Sequence, residues 1–188
     1  MKNNLKKLKD VLFVGFVVFM SALVVGTIVI STRDSEEDFS SIVMTGADET
    51  KFVLPLDSCE LIKDFSADRL QFNSTLKQWE SHKAVDLKAE VGDGVKAICD
   101  GKILAVETTH LKGTTITIEH SGGFVSSYSS LNSDVGVKVG DRVKAGSIIG
   151  NVDNSAKGEL DQGTHLHFEL SKDGKKVDPN LYFTFGQK

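Results

Sequence analysis

Two short motifs in this sequence carry the residue types that a divalent transition metal requires. In His82-Lys-Ala-Val-Asp86 an imidazole and a carboxylate lie four positions apart. At a loop-to-strand entry such a pair can converge on one ion, because the loop residue need not obey the strand's alternation. In Gly163-Thr-His-Leu-His-Phe-Glu-Leu170 a strand period of two turns His165 and His167 to one face and sends Leu166 and Phe168 to the other. Imidazole with carboxylate suits zinc rather than calcium or magnesium, and three protein ligands with an open fourth position make the usual catalytic zinc arrangement. Singly, each motif reads as an ordinary polar pair or as solvated strand residues. Together they point to one metal site.

The elements that must position these residues are strands. Seventeen glycines and only two prolines, with short Val/Ile/Thr runs between the glycines, suit tight turns in a sheet and lead to an all-β fold. The clearest hairpin joins Thr114–Glu119 to Phe124–Tyr128 across His120-Ser-Gly-Gly123. His120 falls on its corner and reads as a polar loop residue. An internal echo, Val91-Gly-Asp-Gly-Val-Lys-Ala97 against Val139-Gly-Asp-Arg-Val-Lys-Ala145, implies two similar β-turn-β units whose second strands are 102–106 and 147–152. Cys59 and Cys99 read as buried thiols rather than a disulfide, since no cysteine framework surrounds them.

Around this domain, expected over 51–188, the chain is organised for a membrane. From Val11 to Ile30 no charge interrupts an apolar run long enough to cross a bilayer as a helix. Lys2, Lys6, Lys7 and Lys9 precede it and Asp34, Glu36, Glu37 and Asp38 follow, which places tail 1–10 in the cytoplasm and the domain outside. A cleaved signal peptide is the competing reading, but Gly26-Thr27 is a poor cleavage site. Residues 31–50 are polar and aperiodic and read as a linker. The net charge of −4, with no basic stripe carrying interleaved aromatics, argues against nucleic acid as a partner.

Beyond the metal-type motifs, Val91-Gly-Asp-Gly-Val95, Asp100-Gly101, the hairpin around His120-Ser-Gly-Gly123 and Val139-Gly-Asp-Arg-Val143 follow in a characteristic order. From roughly Trp79 to Tyr182 the chain resembles the lysostaphin/LytM-type zinc endopeptidases, which cut peptide cross-bridges of bacterial cell walls. The resemblance implies a small antiparallel β domain with a groove for peptidoglycan peptides, and Zn2+ as cofactor. It further implies His82, Asp86 and His167 as metal ligands, His165 as an acid/base or oxyanion-stabilising group, and Tyr128 in the substrate groove. One position departs. Where the family carries a Tyr-Ala-His-Leu-like motif, this chain has Tyr128-Ser-Ser-Leu131, so that Ser130 replaces a histidine that assists catalysis. A serine hydroxyl is not a base near neutral pH, and losing one such group costs about 10²–10⁴ in rate. The resemblance therefore implies a zinc-binding domain with little or no peptidase activity.

Tail, anchor, linker and degenerate LytM-like domain together also resemble the membrane-anchored LytM-type proteins of endospore formation. That likeness implies a forespore-membrane protein and an interaction module in an engulfment channel. Its partner would be a stage III sporulation protein AH-like protein across the intermembrane space, in a ring-like oligomer. Two readings compete: a working endopeptidase in which another group replaces the missing histidine, and an inactive wall-binding regulator of another hydrolase.

Overall fold

A computed structural model describes residues 51–187; the expected tail, anchor and linker lie outside the described residues. In chain order the strands are β1 (Glu60–Lys63), β2 (Ser66–Asn73), β3 (Gln78–His82), β4 (Val85–Lys88), β5 (Gly94–Lys96), β6 (Gly101–Thr109), β7 (Gly113–His120), β8 (Phe124–Leu131), β9 (Arg142–Val143), β10 (Ile148–Asn151), β11 (His165–Lys172), β12 (Lys175–Val177) and β13 (Gly186–Gln187). The main sheet runs β13-β1-β4-β11-β8-β7-β6-β9, with β12 attached to β11; β2–β3 and β5–β10 form two separate ribbons. Its pairings are antiparallel except β1 with β13, so the all-β antiparallel expectation holds.

Alternation along the central strands divides the sheet into an apolar face and a polar one. From β11, Leu166, Phe168 and Leu170 enter the core, where they meet Val85 and Leu87 of β4 and Ile116 and Ile118 of β7, all fully buried. Burying one such side chain is worth about 1.5–3 kcal/mol, so this face fixes which residues β11 and β8 must turn the other way. Tyr128 follows the same rule and corrects the sequence expectation: it is 0% exposed, its ring lies 5.4 Å from Phe168, and its hydroxyl accepts from the Ile98 N–H at 3.0 Å. It is a core residue and does not line the groove. The groove face of β8 receives Ser127 and Ser129 instead, paired with Glu169 and His167 of β11.

His120 also departs from expectation. It closes β7 at the hairpin but is only 5% exposed. Its Nδ1 lies 2.9 Å from the Asp100 carbonyl and its Nε2 2.7 Å from Ser126 Oγ, which in turn lies 3.0 Å from the Tyr128 hydroxyl. Gly101 makes room for this: a Cβ there would fall 2.5 Å from the Glu119 carbonyl and 2.7 Å from His120 Nδ1.

The echoed motifs fold alike but exchange partners. In both turns the aspartate caps the backbone three residues earlier, Asp93 to Glu90 and Asp141 to Lys138. Yet β5, from the first motif, pairs with β10 after the second, and β9, from the second, pairs with β6 after the first. The units are therefore interlocked by crossed pairing rather than built as two independent sheets.

Burial pushes the His120 imidazole below its ordinary range, against the opposing pull of backbone hydrogen bonding from Asp100 and Cys99. A histidine held neutral in the fold contributes stability that is complete above its unfolded pKa of about 6.5 and is lost as pH falls through the folded value. Thermal melts should accordingly drop more steeply from pH 7 to pH 5 in the wild type than in His120→Gln. Parallel curves would contradict this role.

Candidate metal centre

The sequence motifs meet because β4 and β11 are neighbours in one register. Asp86 stands opposite His167, and His167 Nδ1 lies 2.8 Å from Asp86 Oδ1. His82, the last residue of β3, brings its Nε2 to 3.3 Å from the same oxygen. Each imidazole is oriented from behind. His82 Nδ1 lies 3.0 Å from the Asp64 carbonyl, His165 Nδ1 2.8 Å from the Gly163 carbonyl, and His167 Nε2 3.3 Å from Glu169 Oε1. Such contacts select the tautomer and aim the opposite nitrogens, His82 Nε2, His165 Nε2 and His167 Nδ1, at one point.

A residue that sequence reasoning did not single out completes the cluster. Glu159, in the loop between β10 and β11, places Oε2 3.1 Å from His167 Nδ1 and 3.7 Å from His165 Nε2, and Oε1 3.8 Å from His82 Nε2. Lys63 holds it from the far side at 2.6 Å. Donor atoms of His82, Asp86, Glu159 and His167 all lie within 4.8 Å of one another. Tetrahedral zinc with bonds of about 2.0–2.1 Å would set its ligands roughly 3.3 Å apart, so small side-chain adjustments bring these atoms to bonding distance.

Three buried atoms argue that the centre is built for a cation. His82 Nε2, Asp86 Oδ2 and His165 Nε2 have no hydrogen-bond partner among the described residues. A buried polar atom left unpaired costs on the order of 1–3 kcal/mol, and the two nitrogens lie 3.3 and 3.9 Å from Asp86 Oδ1, an arrangement that a shared positive ligand explains. Nitrogen and carboxylate oxygen donors fit zinc.

The charges reinforce one another. Burial alone would raise the Asp86 carboxyl, but the His167 and His82 imidazoles bring it down to about 2. Burial would likewise raise Glu159, and the neighbouring His165, His167 and Lys63 hold it far below the usual carboxylate range. His167 shows the mirror effect: burial pushes it down, while Asp86, Glu159 and Glu169 hold it well above ordinary imidazole. His165 is raised against burial chiefly by Glu159.

The centre opens onto a groove of about 390 Å³, lined among others by His82, Ser129, Ser130, Glu159, His167 and Glu169. Hydroxyl pairs, Thr115 with Ser129 at 2.8 Å and Thr117 with Ser127 at 3.3 Å, cross the β7–β8 ladder on this face. Ser130 sits on the groove wall at φ 66°, in the left-handed region; its N–H donates to the Lys112 carbonyl at 2.9 Å and its carbonyl accepts from the Asp153 N–H at 2.7 Å. Neither remaining histidine supplies an imidazole here, since His120 is tied to Asp100 and Ser126 and neither it nor the exposed His110 lines the groove. Of the residues expected from sequence, His82, Asp86, His165 and His167 thus converge, Ser130 borders them, and Tyr128 lies on the other side of the sheet.

A groove headed by a His-x-x-x-Asp pair and a His-x-His strand on an antiparallel sheet defines the LytM-type class of peptidase domain. Residues 80–179 match Peptidase family M23, and the chain belongs to that family. It is similar to stage II sporulation protein Q of Bacillus subtilis (strain 168), 35% identical over 99 residues, 52% of this chain and 34% of that protein. It is also similar to the peptidoglycan DD-endopeptidase ShyC of Vibrio cholerae, 30% identical over 125 residues, 66% of this chain and 28% of that one. Among solved structures, a crystal structure of a SpoIIIAH and SpoIIQ complex superimposes with a TM-score of 0.61 at 26% identity, covering 70% of this chain and 99% of that one. The chain spans between a quarter and about a third of the length of these two curated relatives.

The donor set leads to a direct expectation: the purified chain should take up about one zinc, and His82→Ala or His167→Ala should lose it. Stoichiometric metal retained in both variants would place the ligands elsewhere.

Proposed function

We propose that this chain is a membrane-anchored LytM-type domain that binds zinc through His82, Asp86 and His167 and has little or no peptidase activity. It acts as an interaction module in an intermembrane complex of the sporulating cell, with a SpoIIIAH-like partner. The observation that carries this reading is the pairing of an intact donor cluster with a serine at 130. Likeness to stage II sporulation protein Q, and to the chain solved with SpoIIIAH, supports the setting and the partner.

Zinc held by three protein ligands would supply Lewis acidity towards a peptide carbonyl at the head of the groove, and a fourth protein ligand would withhold it. His165, with Nδ1 held by the Gly163 carbonyl, can carry a proton at Nε2 on that side. Ser130, which lines the groove, carries a hydroxyl in place of a second proton-handling imidazole, which supports a rate lowered by about 10²–10⁴. The competing reading, an active endopeptidase of cell-wall cross-bridges, draws support from the retained His165 and from similarity to ShyC.

With zinc bound, the full chain should release no cross-link fragments from purified peptidoglycan above background. Robust, chelator-sensitive turnover that disappears in His165→Ala would overturn the scaffold reading in favour of the endopeptidase. Ser130→His is the informative gain-of-function variant, because histidine tolerates positive φ better than most residues; cleavage appearing there alone would trace the loss of activity to position 130.

A separate expectation concerns the partner. Titrating the SpoIIIAH-like extracytoplasmic domain of the same organism into the chain should give a saturable complex. Failure of the zinc-loaded chain to bind would contradict the interaction role.

A further inference from the structure

We propose that Glu159 is a fourth protein ligand that closes the metal centre, so that the ion ties the β10–β11 loop to the sheet and no coordination position is left open to substrate. This rests on the reading of the cluster as a metal site. Hydrolytic zinc sites keep one position free for water or substrate, whereas four protein ligands make a structural site. Glu159 occupies the side of the cluster that His165 faces, with Oε2 3.7 Å from His165 Nε2 and 3.1 Å from His167 Nδ1.

Its placement is built into the fold. The Gly158 carbonyl just before it accepts from Asn73 Nδ2 at 3.0 Å. The Gly158 N–H donates to the Leu111 carbonyl at 2.9 Å, and a Cβ at 158 would press on that same oxygen at 2.9 Å. On the carboxylate itself, Lys63 Nζ at 2.6 Å and Gln162 Nε2 at 3.1 Å both donate to Oε1, leaving Oε2 directed at the histidines. A glutamate that only neutralised Lys63 would not need this clamping of the loop from the β2–β3 ribbon and from the β6–β7 turn.

The test uses the purified full-length chain loaded with Co2+, whose visible spectrum reports coordination, and titrated with azide as an exogenous ligand. In the wild type azide should leave the spectrum unchanged. In Glu159→Gln and Glu159→Ala azide should alter it, and zinc affinity measured against a chelator should fall at least about tenfold, the loss that even outer partners of a ligand produce. Lys63→Met, which leaves the carboxylate in place but frees it, should give an intermediate azide response. An azide-sensitive wild-type spectrum, or Glu159 variants with unchanged affinity and no azide response, would overturn the fourth-ligand role. A wild-type chain that takes up no Co2+ or Zn2+ at all would instead overturn the metal site itself.

Discussion

The Asp86 carboxylate is the constraint on which the rest of the domain depends. It is fully buried at the centre of a sheet, and among the described residues its only charged partners are histidines. A carboxylate taken out of water without compensation costs on the order of several kcal/mol, so positive charge has to be assembled around it. The surrounding acids are provided for separately: Lys63 meets Glu159, and Lys112 and Lys176 meet Glu169. Among the described residues Asp86 has no such lysine and is paired with imidazoles, an arrangement that a divalent cation held between them satisfies.

Everything that positions those imidazoles follows from the sheet. The apolar side chains of β11 and β4 lock the register that sets His167 opposite Asp86, and a one-residue slip would bury the histidines in the core and expose Leu166 and Phe168. The core therefore specifies the site as much as it stabilises the fold. The pairing of β10 with β5 on one side and of β11 with β4 and β8 on the other ties down the strands flanking the loop that carries Glu159. A centre assembled in this way can hold a cation without turning over peptide, because rigidity and proton transfer make different demands on the residues around it.

Much of the site was legible in the sequence because strand alternation is a short-range rule. The His-x-His spacing forces both rings to one face, and that relation needs no knowledge of the fold. The same rule, applied across strands, would have removed Tyr128 from the groove, since the residue opposite Phe168 must share its apolar face; the pairing partner, however, is invisible from one strand. His120 escapes the sequence pattern because a hairpin corner usually lies in solvent, whereas here the close approach of Gly101 goes with its burial. Glu159 lies in an irregular loop with no periodicity, and its role comes from Lys63 and Asn73, far away in sequence. Sequence patterns show which way a strand residue points; they carry little about what a loop reaches.

The most direct test of the central claim is anomalous diffraction at the zinc edge from crystals of the zinc-loaded chain. The account predicts a single peak among His82 Nε2, Asp86, His167 Nδ1 and Glu159. No peak at that position, or a zinc held by other residues while Asp86 remains paired only with histidine, would contradict it.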